Sequence, residues 1–199
     1  MAQEPPADAG LRRDRDRYQP QLRLSLGHEP GQRVARGPDV PGPAPWSTPE
    51  ATAFKRYIED RVIEGEQQVR VHVTFHQHGR IVLYPYGYTR EAIPPDMRAD
   101  DHAVLVRMAT EMARRSGYAV AQTANFDVNA GNQMDWLYAT YRIMTFTFEM
   151  GDAFAMPDET IPTETARNMD AASYAIEQAS VLPGLGRPAQ LLPNTAALP

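Results

Sequence analysis

The stretch that decides the fold is Ile143-Met144-Thr145-Phe146-Thr147-Phe148-Glu149-Met150. Apolar and smaller polar residues alternate along it, and β-branched and aromatic side chains dominate, which predicts a β-strand. Glu149 stands at the end of this strand. A carboxylate in this place is either solvated or held by a rigid sheet in a cleft, where α/β sheets bind their ligands.

Outward from this strand, hydrophobic periodicity predicts an alternation of strands and helices. Residues 69–75 alternate as a strand, and residues 81–86 form a second apolar run. A helix is predicted after Ser47, which can cap it with Glu50 completing a capping box. Two more helices are predicted at 100–116, ended by Gly117, and at 162–179. In the last helix the side chains expected to be buried are Ala166, Met169, Ala172, Tyr174 and Ile176.

Composition divides the chain into three parts and excludes several classes of protein. Residues 1–41 are rich in proline and poor in large apolar residues, which predicts a disordered arm; 42–181 form the domain, and 182–199 a flexible tail. The net charge is −5 without a basic stripe, so nucleic acid is not an expected partner. No run of about 20 apolar residues predicts a membrane span. There are no cysteines, which excludes thiolate metal sites.

Two motifs carry a resemblance to a known family. The first is Asp135-Trp136-x-Tyr138, followed eleven residues after Tyr138 by Glu149 within Phe-Thr-Phe-Glu-Met. The second is the segment 74–89, Thr-Phe-His-Gln-His-Gly-Arg-Ile-Val-Leu-Tyr-Pro-Tyr-Gly-Tyr-Thr. In order and separation they resemble the zinc carboxypeptidases of the carboxypeptidase A and carboxypeptidase T type over residues 42–180. The resemblance implies the C-terminal half of that α/β fold, a mixed sheet with helices on both faces.

The resemblance also implies roles for four residues. His76 matches the histidine that binds Zn²⁺ after a first pair of ligands, and Glu149 matches the general base that activates water in peptide hydrolysis. Met134 matches the position that lines the pocket for the substrate's terminal side chain. The expected substrate is therefore a peptide with an apolar C-terminal residue. Asp127, the second expected substrate-binding residue, stands where the family has a mobile tyrosine, eight residues before Asp135, so that hydroxyl is missing.

The metal ligands and the substrate anchor depart from the family pattern. The family takes its first two zinc ligands from His-x-x-Glu, yet none of the five histidines here has Glu three residues later. The Asn-Arg pair that binds the substrate's terminal carboxylate also has no match. The simplest interpretation is a zinc carboxypeptidase cut off from its N-terminal half, with residues 1–41 read in a shifted frame. Zn²⁺ then has one matched ligand, and the missing half is an expected partner beside the peptide or protein C-terminus.

Alternatives from other classes stay open. A catalytically inactive pseudo-peptidase acting as a binding or scaffold protein fits the missing ligands. A separate metal site is also conceivable, because His72, His76 and His78 would share one face of a regular strand. Members of the resembled family are often secreted, but the N-terminus has no apolar region typical of a signal peptide, so no compartment is predicted.

Overall fold

A computed structural model describes residues 45–129 and 131–181. The helices are α1 Pro49–Glu59, α2 Ala99–Ser116, α3 Thr123–Phe126, α4 Gln133–Tyr141 and α5 Ile161–Val181, the last preceded by a 3₁₀ turn at Asp158–Thr160. The strands are β1 Val62–Ile63, β2 Glu66–Gln67, β3 Val71–Gln77, β4 Ile81–Tyr84, β5 Ala119–Gln122 and β6 Met144–Met150.

The main sheet has four strands in the order β3-β6-β4-β5. β6 runs parallel to β3 and antiparallel to β4, while β4 and β5 are parallel. The sheet is therefore mixed, as predicted, and the strand predicted from the fold-determining stretch lies inside it between two neighbours. β1 and β2 form a separate antiparallel ribbon.

Helices cover both faces of this sheet, which confirms the predicted architecture. On one face α2 and α5 pack against each other and against the sheet, and the buried cluster there includes Leu105, Met108, Met112, Phe146, Phe148, Ala171 and Tyr174. On the other face α1 and α4 form a smaller cluster with Ile58, Trp136, Leu137, Tyr141 and Ile143. Over the residues that the structure describes, no helix combines the length and apolar character needed to cross a bilayer.

Two predictions about the helices are corrected. The cap of α1 is Thr48, whose hydroxyl accepts the amide of Ala51, and Pro49 occupies the first helical position, where its missing N–H costs nothing. The cap is therefore one residue later than predicted, at Thr48 instead of Ser47, so Glu50 is not at the third helical position that a capping box needs.

The prediction of which α5 side chains are buried was also wrong, apart from Tyr174. Met169 is 59% and Ile176 73% exposed, whereas Asn168 is buried. The amide of Asn168 donates to the Tyr118 hydroxyl at 3.0 Å. A hydrogen bond of this kind allows a polar side chain to be buried. The positions of the apolar residues alone therefore did not predict which side of the helix faces the core.

Asp135 joins α4 to the loop that follows β4. Its carboxylate accepts the amide of Gly87 at 2.9 and 3.1 Å and that of Tyr88 at 3.1 Å. Gly87 has no room for a side chain, because a Cβ there would lie 2.5 Å from Nδ2 of Asn132. Burial raises the pKa of Asp135 from its ordinary value of 3.8 to about 7, although the amide donors of Gly87 and Tyr88 oppose the shift.

This raised pKa predicts a pH-dependent stability. The unfolded chain releases the Asp135 proton near pH 4, whereas the folded protein keeps it until about pH 7. The folded state thus binds more protons across this window, so the free energy of unfolding should fall as pH rises from about 4 to about 7. The loss is up to about 4 kcal/mol, at about 1.4 kcal/mol per pH unit. Urea unfolding at several pH values measures it.

The matched control is Asp135→Asn, which has no proton to release. Its absolute stability should be lower, since a side-chain amide offers one acceptor oxygen where the carboxyl group uses two, but the slope between pH 4 and 7 should flatten. Equal slopes in the parent and the variant would assign the pH dependence to other groups.

Candidate active site

His76 and Glu149 lie side by side at the carboxyl ends of two parallel strands. His76 of β3 is the registered partner of Glu149 in β6. Registered residues of neighbouring strands direct their side chains to the same face of the sheet. His76 is exposed and Glu149 is half-buried, so both are reachable from solvent. The two residues that the resemblance assigns to metal binding and base catalysis are therefore neighbours, although their roles stay predictions.

The carboxyl group of Glu149 is electrostatically perturbed. Burial raises its pKa above the ordinary glutamate range, and the charges of His76 and His78 oppose this shift. A carboxylate with a raised pKa holds a proton more readily near neutral pH, as a general base must.

The turn after β3 brings an aromatic ring to the same place. A Cβ on Gly79 would meet Cε2 of Phe126 at 3.4 Å and Cβ of Glu149 at 3.6 Å. The amide of Gly79 donates to the carbonyl of Gly151 at 3.0 Å, which holds this turn against the end of β6. Phe126, 49% exposed, thus stands beside the catalytic candidate. No pattern in the sequence indicates this contact, because it joins residues of three separate elements.

Met134 lies on the same side of the sheet as Glu149 but deeper. Its sulfur is 3.0 Å from the hydroxyl of Thr147, two residues before Glu149, and the residue is only 4% exposed. Asn132 caps α4 by accepting the amide of Asp135 at 2.8 Å, and this fixes where Met134 points. Met134 is therefore packed beneath this face of the sheet and is not exposed on it, and its contact with substrate stays a prediction.

Asp127 follows the last residue of α3 and is exposed. Its carboxylate accepts a long hydrogen bond from Nδ2 of Asn129 at 3.4 Å. Because α3 is anchored by the Thr123 hydroxyl on the carbonyl of Tyr84, Asp127 sits at the end of a fixed turn. Its correspondence to the family's mobile tyrosine, and a contact with substrate, stay predictions.

The described residues contain no group of three His, Cys, Asp or Glu side chains that could hold a metal ion. The three histidines do not converge. Nδ1 of His72 is 3.1 Å from the Thr145 hydroxyl, and its ring packs edge-on against Phe54. His78 follows the end of β3 and packs against Phe154. The donor set of residues 45–129 and 131–181 therefore does not fit a three-ligand catalytic zinc centre by itself.

Comparison with known sequences identifies the family. A sequence profile described as zinc carboxypeptidase matches residues 28–171. The chain therefore belongs to the zinc carboxypeptidase family, which confirms the resemblance. It is 28% identical over 132 residues to a zinc carboxypeptidase of Saccharothrix mutabilis subsp. capreolus, covering 64% of this chain and 30% of that relative. It is 31% identical over 133 residues to carboxypeptidase A6 of Mus musculus, covering 62% and 29%.

Solved structures confirm the fold. Bovine thrombin-activatable fibrinolysis inhibitor, in complex with tick carboxypeptidase inhibitor, superposes with a TM-score of 0.61 at 19% identity, covering 71% of this chain and 49% of that one. Carboxypeptidase A from Helicoverpa armigera gives a TM-score of 0.60 at 14% identity, covering 81% and 42%. The chain spans about a third of the length of the curated relatives that it matches.

The geometry predicts that His72 takes no part in metal binding. Burial lowers the pKa of His72 to about 4, and its ring is held between Thr145 and Phe54. We expect His72→Ala to leave the affinity for Zn²⁺ unchanged, whereas His76→Ala weakens it. Isothermal titration of the two variants and the parent with ZnCl₂ checks this. An equal loss of Zn²⁺ affinity in both variants would instead support a metal site formed by His72, His76 and His78.

Proposed function

We propose that this chain supplies one side of a metallocarboxypeptidase active site, which removes the C-terminal residue from peptides or proteins. The observation that carries the proposal is the registered pairing of His76 with Glu149 at the carboxyl ends of β3 and β6. Membership of the zinc carboxypeptidase family gives this pair its chemical meaning.

Glu149 is the proposed general base. Its half-buried carboxyl and raised pKa suit it to take a proton from water and pass it to the departing amine of the cleaved peptide bond. The strand holds this group rigidly, since five consecutive residues before it, 144–148, are buried. Positioning of this kind is what a proton transfer over hydrogen-bond distance needs.

His76 is the proposed single metal ligand, and the proposed site is incomplete without two others. A catalytic zinc needs three protein ligands, and His-x-x-Glu does not occur in this sequence. The Asn-Arg pair that would hold the substrate's terminal carboxylate is absent from it as well. We infer that activity requires a segment carrying these groups, and that the chain without it is impaired.

Met134 gives the proposed substrate preference. Its side chain is apolar and lies under the face that carries Glu149, so a terminal apolar residue such as Phe or Leu is the best match. A charged terminal side chain would be buried next to an apolar thioether that offers it no charged partner, which is unfavourable.

A second candidate is a pseudo-peptidase that binds peptide ends without hydrolysing them. It is favoured by the lack of a three-ligand group among residues 45–129 and 131–181, and by Asp127 in place of a hydroxyl donor. Hydrolysis of a peptide ending in Phe after addition of ZnCl₂ separates the two functions, because a binding protein would retain the peptide intact.

The incomplete donor set predicts weak zinc binding. One histidine and a neighbouring carboxylate cannot form a closed site, so we expect the chain to bind Zn²⁺ no tighter than about micromolar, far from the affinity of full structural sites. Isothermal titration calorimetry measures this. A nanomolar dissociation constant would show that other residues of the chain complete the site.

The role of Glu149 is tested in a chimera with a family N-terminal half that supplies His-x-x-Glu and Asn-Arg. Glu149→Gln keeps the size of the side chain but removes the base, and loss of a general base costs about 10²–10⁴ in rate. We expect turnover on a peptide ending in Phe to fall at least about 100-fold while the zinc content of the same preparation stays near normal.

The matched variant is His76→Ala, which should lower zinc content and turnover together. If the Glu149→Gln chimera kept turnover within a few-fold of its parent, Glu149 would be a bystander at a strand end. If the parent chimera bound zinc fully yet hydrolysed nothing, the pseudo-peptidase alternative would stand instead.

A further inference from the structure

Two turns enclose the strand end that carries Glu149, one at residues 78–80 after β3 and one at 151–155 after β6. The amide of Gly79 donates to the carbonyl of Gly151 at 3.0 Å, so a backbone hydrogen bond joins the two turns. A Cβ on Gly79 would lie 3.6 Å from Cβ of Glu149, which places the first turn directly against the proposed base. The position of Glu149 therefore depends on how these turns are held.

Arg80 connects both turns to α5. Its Nη2 lies 3.1 Å from Oε1 of Glu164 on that helix, and its Nε lies 3.2 Å from Oδ1 of Asp152 in the turn after β6. The contact with Asp152 is an ion pair without hydrogen-bond geometry. The side chain of Asp152 is 68% exposed, whereas that of Glu164 is only 13% exposed. Because exposed ion pairs contribute little, the pair with Glu164 is the stronger of the two.

Other groups hold Glu164 in place. The hydroxyl of Tyr118 donates to its Oε2, and the amide of Asn168 donates to that hydroxyl at 3.0 Å. Arg167 lies 3.5 Å from Oε1, the same oxygen that Arg80 approaches. The carboxylate that receives Arg80 is therefore a fixed point of the fold. It also keeps partners when Arg80 is removed, so a variant of Arg80 should still fold.

The backbone of Arg80 has an unusual conformation. Its φ is 46°, in the left-handed region that residues other than glycine rarely adopt, and its carbonyl accepts the amide of Ala119 at 2.8 Å. Such a conformation persists only where surrounding contacts stabilise it. The guanidinium lies with α5 on the sheet face that carries Phe148, whereas the side chain of Glu149 alternates to the opposite face. Arg80 consequently acts on Glu149 through the backbone and not by contact.

We propose that Arg80 is a positioning residue for Glu149, because its pairs with Glu164 and Asp152 fix the two turns around the end of β6. This inference rests on the proposed function, in which Glu149 is the general base. Loss of the Arg80 side chain should leave the strands intact but allow the turns to move. A displacement of a reacting group by about 1 Å can lower the rate of an enzyme about 100-fold.

Hydrogen exchange of the Gly79 amide tests the hold on the turns in the full-length chain. In Arg80→Ala this amide should exchange at least about 10-fold faster, because its hydrogen bond to Gly151 opens more often, while the Phe146 amide inside β6 is unchanged. Arg80→Lys keeps the charge but lacks the planar fork, so its exchange rate should be intermediate. No acceleration at Gly79 in Arg80→Ala, or equal acceleration at Gly79 and Phe146, would overturn the proposal.

The matched control is Arg115→Ala. Arg115 also pairs with two carboxylates, Glu111 at 2.9 Å and Asp170 at 3.1 Å, and these pairs join α2 to α5 and involve neither turn. Its removal should leave the exchange of the Gly79 amide as in the parent. The same acceleration in this variant would contradict the proposal, since the loss of any ion pair would then have the effect.

Turnover in the chimera with a family N-terminal half tests the link to catalysis. There Arg80→Ala should lower kcat about 10- to 100-fold, with KM and zinc content near those of the parent chimera. Arg80→Lys should recover part of the loss, and Arg115→Ala should keep the parent kcat. An unchanged kcat in Arg80→Ala would overturn the proposal. A parent chimera without turnover would overturn the proposed function instead, and the exchange of Gly79 would still decide whether Arg80 fixes the turns.

Discussion

The backbone pairing of β6 with a parallel strand on one side and an antiparallel strand on the other determines where the candidate site lies. Residues 144–148 are buried, and each large apolar side chain among them contributes roughly 1.5–3 kcal/mol on burial. A slip of one residue would move this apolar set to the polar face, so the register is strongly fixed. Glu149 is the first residue of β6 to reach the edge of the buried region, and β3 places His76 beside it.

Buried polar contacts fix the loop after β4 and the helix α4 against β6. Asp135 receives the amides of Gly87 and Tyr88, which ties the loop after β4 to the start of α4. The helix in turn places Met134 under Thr147. Because buried polar groups are costly when unpaired, each such contact fixes one relative position of loop, helix and strand. The floor of the site thus depends on residues that have no role in its chemistry.

Local sequence patterns predicted the strands and helices better than they predicted which residues those strands and helices contact. Alternation in the stretch ending at Met150 correctly predicted β6, and Gly117 ends α2 in the left-handed conformation, as a helix-stopping glycine should. The buried face of α5 was predicted wrongly because Asn168 is buried through a hydrogen bond to Tyr118, fifty residues away. Contacts of this range leave no periodic signal. The partnership of His76 with Glu149 was expected only from the family resemblance.

The pairing of these two residues is tested most directly by cross-linking, since the chain has no cysteine of its own. Neighbouring strands lie about 4.8 Å apart, within the reach of a disulfide. We expect the double variant His76→Cys with Glu149→Cys to form an intramolecular disulfide on mild oxidation. The control, His76→Cys with Phe148→Cys, places the thiols on opposite faces and should stay reduced. A disulfide in the control and none in the registered pair would contradict the position assigned to the site.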